Sequence, residues 1–239
     1  MEEEIVHLLR DLNRDFYDTF AGAFDRSRAP TEPGVERILE QVQSGEHFLD
    51  LGCGQGRVAL LLPEETSYVG VDFSAEMVAL ARRKSRAAGI PARFVVADLL
   101  EEPWLPEVGE DFDWILLRAV LHHVPGFAWR AAVVRRAAER LASGGHLVVA
   151  NWQFLELPSL RRRLLPWDTV GLHREQVEEG DYLLDWKREG YGLRYVHLVD
   201  EEETQRLAEA AELQVELLYR ADGRNNRLTL YAVLSRESD

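Results

Sequence analysis

The sequence predicts an α/β protein, a central and mostly parallel sheet flanked by helices. Three observations predict it. From about residue 35 onward, apolar runs of strand length alternate with stretches of helix length, the pattern left by β–α–β crossovers. The first such run passes straight into a glycine turn, Gly52-Cys53-Gly54-Gln55-Gly56, and then a helix. The first three runs also close in succession on Asp50, Asp72 and Asp98.

The elements follow in order. Glu4 to Ala23 forms an opening helical region, and the stretch holding Pro30, Pro33 and Gly34 separates it from a second helix over Val35–Gln43. Strands are expected at His47–Leu51, Tyr68–Asp72, Arg93–Ala97, Trp114–Leu117 and His146–Asn151. Helical stretches at Arg57–Leu62, Ala75–Ala88 and Trp129–Ala142 lie between them. The last of these should stop at Ser143-Gly144-Gly145, where glycine tolerates the left-handed conformation that ends a helix. Residues 152–198 then break the alternation and read as an insertion rich in tryptophan and tyrosine. Asp200 opens a further helix, with Glu203 spaced as its capping-box partner. Val215–Tyr219 and Leu228–Leu234 close the chain as an antiparallel hairpin around Asp222-Gly223 and Asn225-Asn226. One domain is expected over 1–239, with a helical segment at 1–34 and the insertion at 152–198.

Composition narrows the function. With 46% hydrophobic and 29% charged residues, the 239-residue chain buries a proper core. A net charge of −14 argues against a protein that coats nucleic acid, while leaving room for a local basic patch. Cys53 is the single cysteine, which excludes an intrachain disulfide and a thiolate zinc site. No apolar run nears the roughly 18 residues of a membrane span. The opening Met1-Glu2-Glu3-Glu4 is the reverse of a secretory signal. The expectation is a soluble, cytoplasmic protein that binds no metal and no membrane.

The glycine turn lets the backbone approach a ligand at the carboxyl ends of the strands, the crevice where open α/β sheets bind cofactors. A nicotinamide dinucleotide is one ligand for such a turn, but Asp50 just before the glycines would repel its pyrophosphate and suits an ammonium group better. Asp72 is placed to accept from ribose hydroxyls, and Asp98 to accept from an exocyclic amine. In these features the chain, from about residue 35 to its end, resembles the Rossmann-like class I S-adenosylmethionine-dependent methyltransferases. The resemblance implies S-adenosylmethionine as cofactor and S-adenosylhomocysteine as product. It assigns Asp50, Gly52, Cys53, Gly54 and Gly56 to the methionine part and Asp72 to ribose. Asp98 and Leu99 take adenine, flanked by Phe73 and Met77, and Arg118 joins the cofactor set. Cys53 reads as a small residue beneath the turn and not as a nucleophile.

The acceptor must be read elsewhere, because fold does not give substrate. His122 and His123 follow the fourth strand, where a histidine can serve as base or shape the pocket. Near the start lies Phe16-Tyr17-Asp18-Thr19-Phe20, leading to Arg28; late in the chain come Gly180-Asp181-Tyr182-Leu183-Leu184-Asp185-Trp186 and Arg194-Tyr195-Val196-His197-Leu198. Together these resemble the eukaryotic tRNA wobble-uridine methyltransferases that esterify 5-carboxymethyluridine. The resemblance implies methyl transfer to a carboxylate, with tRNA as the partner that bears it; whether a small activating protein is also needed, the sequence leaves open. It carries Arg28, His122, Trp152 and Arg194 to the reacting centre, and makes 1–34 a lid and 152–198 a substrate-shaping insertion. A carboxylate is ionised at neutral pH and needs no base; it needs fixation, which arginine provides. A small-molecule O- or N-methyltransferase with His122 as base is the alternative. A catalytically silent cofactor-binding subunit would carry the same motifs.

Overall fold

The computed structural model describes residues 1–27, 32–101, 104–223 and 225–236. Seven strands form one sheet: β1 (His47–Leu51), β2 (Ser67–Asp72), β3 (Ala92–Val96), β4 (Phe112–Arg118), β5 (Leu141–Trp152), β9 (Gln214–Ala221) and β10 (Thr229–Ser235). Their order is β3-β2-β1-β4-β5-β10-β9. The first five are mutually parallel, and β10 runs antiparallel to both β5 and β9. Trp114, Ile115, Leu116 and Leu117 are all buried, as expected of a central strand covered on both faces. Strand order reverses between β1 and β4, so a crevice opens beyond their carboxyl ends.

Helices α1 (Glu3–Ser27), α2 (Pro33–Leu39), α3 (Ala75–Ala88), α4 (Trp104–Val108), α5 (Phe127–Ala138), α6 (Pro158–Arg161) and α7 (Glu201–Ala210) complete the chain. One core holds Leu51, Val71 and Ile115 with α5 and α7. A second, holding Phe48, Trp114 and Tyr231, packs under α2 and α3. Helix α3 begins where Ser74 accepts from the Met77 amide and ends on Gly89 at φ +70°. Among the described residues, no helix is long and apolar enough to cross a membrane.

The insertion builds a sheet of its own. Strands β6 (Leu164–Leu165), β7 (Asp181–Trp186) and β8 (Gly192–His197) pair antiparallel in that order. Helix α1 lies against it, with Ile5 and Leu9 packed on Leu183, Tyr195 and Trp167. The first helix therefore spans from the inserted sheet to the cofactor crevice.

Some boundaries differ from expectation for identifiable reasons. The helix expected over Trp129–Ala142 ends at Ala138, because Leu141 already pairs with Phe112. Gly144 and Gly145 thus lie inside β5, where a Cβ on Gly145 would come within 2.7 Å of the Phe112 carbonyl. Arg57–Leu62 yields only a 3₁₀ turn at Val58–Leu60, since Pro63 leaves too few residues to close an α-helix. The second helix starts at Pro33 and gives way at Gln41 and Val42 to tighter bonds onto Ile38 and Leu39. Asp200 does cap the Glu203 amide at 2.9 Å, but the Glu203 carboxylate turns instead to Arg130 and His197.

Candidate active site

The glycine turn is stapled to β2. Gly52 and Cys53 donate their amides to the Val71 carbonyl at 2.7 and 2.9 Å, and Gly54 donates to Asp72 at 2.8 Å. Gly52 sits at φ +78°, and a Cβ there would meet Val120 at 2.2 Å. Only glycine suits that position. Beyond β4, Ala119 adopts φ +60° at the rim of the same crevice, a backbone strain of the kind that collects at functional sites.

A cavity of about 150 Å³ lies over these strand ends. Gly52, Cys53, Gly54, Asp72, Phe73, Met77, Asp98, Leu99 and Arg118, all among the expected cofactor residues, line this one cavity. Asp72 is buried, and burial pushes its carboxyl up to about 6 against the lowering effect of the Ser74 and Gly54 amides it accepts from. Phe73 and Met77 offer apolar surface for a base, and Asp98 an acceptor. This set of acceptors suits a nucleoside with ribose on Asp72 and an adenine amine near Asp98.

Asp50 and Gly56 are set apart from the wall. Asp50 lies beneath the turn and accepts the Tyr68 hydroxyl at 2.8 Å. Burial raises its carboxyl to about 6, opposed by Arg118 and Tyr68. Arg118, whose charge acts on Asp50, itself lines the cavity and pairs with Glu32.

Asp98 has company that no motif announced. Arg10 and Arg14 of α1 reach the same carboxylate oxygen at 2.6 and 2.8 Å, while the other accepts the Leu100 amide at 2.9 Å. Arg10, Asn13, Arg14 and Tyr17 all form cavity wall, so α1 roofs the crevice. Their spacing along one helix face is the signal the sequence held.

The two histidines exchange roles. His122 is fully buried and stacks on Trp152, ring centroids 5.2 Å apart and planes 18° from parallel. His123 lines the cavity instead, with Nε2 2.7 Å from the Tyr17 hydroxyl and Nδ1 3.1 Å from the Tyr195 carbonyl. In the neutral ring that carbonyl fixes the proton on Nδ1, leaving Nε2 to accept from Tyr17.

Arg194 and Trp152 stand behind the wall. The Arg194 guanidinium is 1% exposed and lies over Phe16, Trp152 and Trp186 at 4.8, 5.4 and 5.4 Å. Its Nε and Nη1 have no hydrogen-bond partner among the described residues. Burial lowers its pKa, an effect opposed by the Tyr17 hydroxyl. Arg28 lies outside the described residues.

Comparison with known proteins fits this geometry. Residues 48–145 match a family model described as a methyltransferase domain. The tRNA (carboxymethyluridine(34)-5-O)-methyltransferase of Saccharomyces cerevisiae is 30% identical over 161 residues, 67% of this chain and 52% of that protein. The trans-aconitate 2-methyltransferase of Acidovorax sp. is 38% identical over 134 residues, 54% of this chain and 47% of that one. The chain thus spans about half the length of these relatives. An S-adenosylmethionine-dependent methyltransferase from Clostridium acetobutylicum superimposes with a TM-score of 0.67 at 16% identity, covering 93% of this chain and 100% of that chain. Residues 48–145 thus carry a methyltransferase domain, and the strand order and superposition give the chain the fold of the class I S-adenosylmethionine-dependent methyltransferases.

Proposed function

We propose that this methyltransferase acts on a carboxylate, with the wobble carboxymethyluridine of tRNA as the acceptor of first choice. The observation that carries the reading is Arg194. A buried guanidinium whose Nε and Nη1 have no partner among the described residues costs stability, unless an anion from a ligand completes it. Arg194 is separated from the cofactor cavity by Tyr17, and its aromatic surround of Phe16, Trp152 and Trp186 suits a flat acceptor. The two curated relatives, one named for carboxymethyluridine and one for trans-aconitate, support an acid as acceptor.

S-adenosylmethionine, when bound, supplies an electrophilic methyl group. The chain's part is to hold the acceptor. Arg194 would pair with the carboxylate, Trp152 would wall it, and His123 and Tyr17 would border the transfer space. Helix α1 acts as the lid, because Phe16 and Tyr17 must shift for an acceptor to reach Arg194. The backbone departs from helix at Phe20 (φ −110°, ψ 15°), a break at which that part of α1 can swing.

A second reading is favoured by His123. An acceptor bearing an O–H or N–H would pass its proton to Nε2 of His123, with Tyr17 displaced; His122, buried against Trp152, is not placed for that task.

The test is transfer of a labelled methyl group from S-adenosylmethionine to total tRNA and, in parallel, to a small-metabolite extract. Label in tRNA that mild alkali releases supports the ester reading. Alkali-stable label, or label in amines or alcohols alone, overturns it in favour of His123. Arg194→Gln should remove transfer while leaving S-adenosylhomocysteine affinity within about twofold.

A further inference from the structure

Behind the turn that carries His123, the structure holds a buried charge cluster that neither cofactor nor acceptor explains. Arg130 of α5 is 1% exposed and forks three ways. Its Nε donates to Glu203 of α7 at 2.5 Å, its Nη2 to Glu178 at 2.6 Å, and its Nη1 to the Val124 carbonyl at 3.0 Å. Glu178 also accepts the Phe127 amide, at the start of α5, at 2.8 Å. His197 of β8 continues the chain of contacts: Nδ1 is 2.6 Å from Asp181 of β7, and Nε2 is 2.7 Å from Glu203. Asp181 in turn accepts the Tyr195 hydroxyl at 2.6 Å and the Glu178 amide at 2.7 Å.

Hydrogen-bond chemistry sets the protonation of this cluster. Ionised carboxylates only accept, so an imidazole with a carboxylate on each nitrogen must donate from both, and that is the imidazolium. The groups facing His197 are Asp181 from β7, Tyr195 from its own strand, Glu203 from α7, and Glu178 and Arg130 beyond them. Three carboxylates stand against two cations, so losing the His197 proton would leave more uncompensated negative charge in a buried place. The ring's pKa is raised, with burial opposing and the bonds to Asp181 and Glu203 favouring the charged form.

Among the described residues the cluster reaches the reaction side at the His123–Val124 turn, by two contacts. Val124 and His123 line the cofactor cavity, and the Val124 carbonyl is the group that Arg130 holds. Tyr195, whose hydroxyl is tied to Asp181, presents its carbonyl to His123 Nδ1. We propose that Arg130 and His197 are positioning residues: linked through Glu203, they bolt the inserted sheet to the core and hold the His123–Val124 turn in place while His197 carries both ring protons. This holds whichever acceptor the enzyme uses, and it is read out on cofactor product alone.

The experiment measures S-adenosylhomocysteine affinity by calorimetry from pH 7 to 9, with the His197 ring followed by NMR. In the wild type, affinity should fall about fivefold as the ring loses its proton, the scale of a modest coupling energy. The His197→Gln protein should bind with the weakened affinity throughout and show no such step. Arg130→Lys keeps the charge but not the fork, and should bind about fivefold more weakly while retaining the step. A wild-type affinity that stays flat while NMR reports His197 deprotonating overturns the proposal, and this holds even if the variants fail to fold. So does a ring already neutral at pH 7. Glu178, Asp181 and His197 lie close enough to hold a metal ion. Stabilisation by zinc in the wild type that His197→Gln abolishes would likewise overturn the bolt in favour of a metal site.

Discussion

Tyr17 and His123 lie 106 residues apart in the chain and 2.7 Å apart in the structure, joining the roof helix to the turn after β4. The bond closes the cofactor crevice from above. Tyr17 also packs edge-on against Phe16 and Phe73, so its ring is held independently of its hydroxyl.

Removing the hydroxyl tests this bond together with the contact that the same hydroxyl makes to Arg194. Tyr17→Phe should destabilise the docking of α1 by about 1 kcal/mol, the net worth of a typical hydrogen bond. Limited proteolysis should then cut within α1 faster, and S-adenosylhomocysteine should protect it less. Wild-type cleavage rates in the variant would show that aromatic packing alone holds the roof.

Asp72 organises the turn and is expected to take the ribose. Asp72→Ala removes the acceptor for Gly54 and Ser74 together with that for the ligand. Cofactor affinity should fall by at least about tenfold, as for the loss of a charged hydrogen-bond acceptor. Retained affinity by calorimetry would move the ribose elsewhere.

The same carboxylate gives binding a pH dependence on its acid side. Its pKa is raised from 3.8 to about 6, so its ionised form is lost as pH falls through 6. S-adenosylhomocysteine should bind about tenfold more weakly at pH 5 than at pH 7, where the acceptor is largely ionised. The effect on folding has the opposite sign. A carboxyl raised in the folded state binds its proton more tightly there, so its contribution to stability declines as pH rises from about 4 to 6. Calorimetry and thermal melts across that range separate the two.

On the proposed carboxylate reading, Arg194 trades stability for recognition. Arg194→Met fills the aromatic cage without burying an unsatisfied charge, so the melting temperature should hold or rise, by about 2–4 °C for each kcal/mol gained. Methyl transfer to the acceptor should be lost in the same protein. A large drop in stability would mean that the ring contacts of the guanidinium outweigh its desolvation.

Much of the cofactor side was legible because its signal is local. Backbone spacing dictates that a strand, a glycine turn and a strand-ending aspartate lie together, and Asp72, Asp98 and Gly52 all line the one cavity. Asp50 shows the limit of the same logic: it ends its strand as expected, yet Tyr68 claims it from a neighbouring strand. The His122-His123 pair shows another. Adjacent residues in a short 3₁₀ turn point in different directions, and only the packing of Trp152 on one ring and Tyr17 on the other decides which faces the crevice.

The sequence by itself determined the parallel sheet, the crevice and the cofactor class, since strand periodicity, glycine conformational freedom and the chemistry of aspartate act over a few residues. Only the tertiary structure decided that α1 roofs the crevice through Arg10 and Arg14 on Asp98. It alone placed Arg194 behind Tyr17, and it alone tied His197 to Arg130 through Glu203. Those contacts join residues far apart in the chain, and burial sets their strength; neither quantity is written in local pattern.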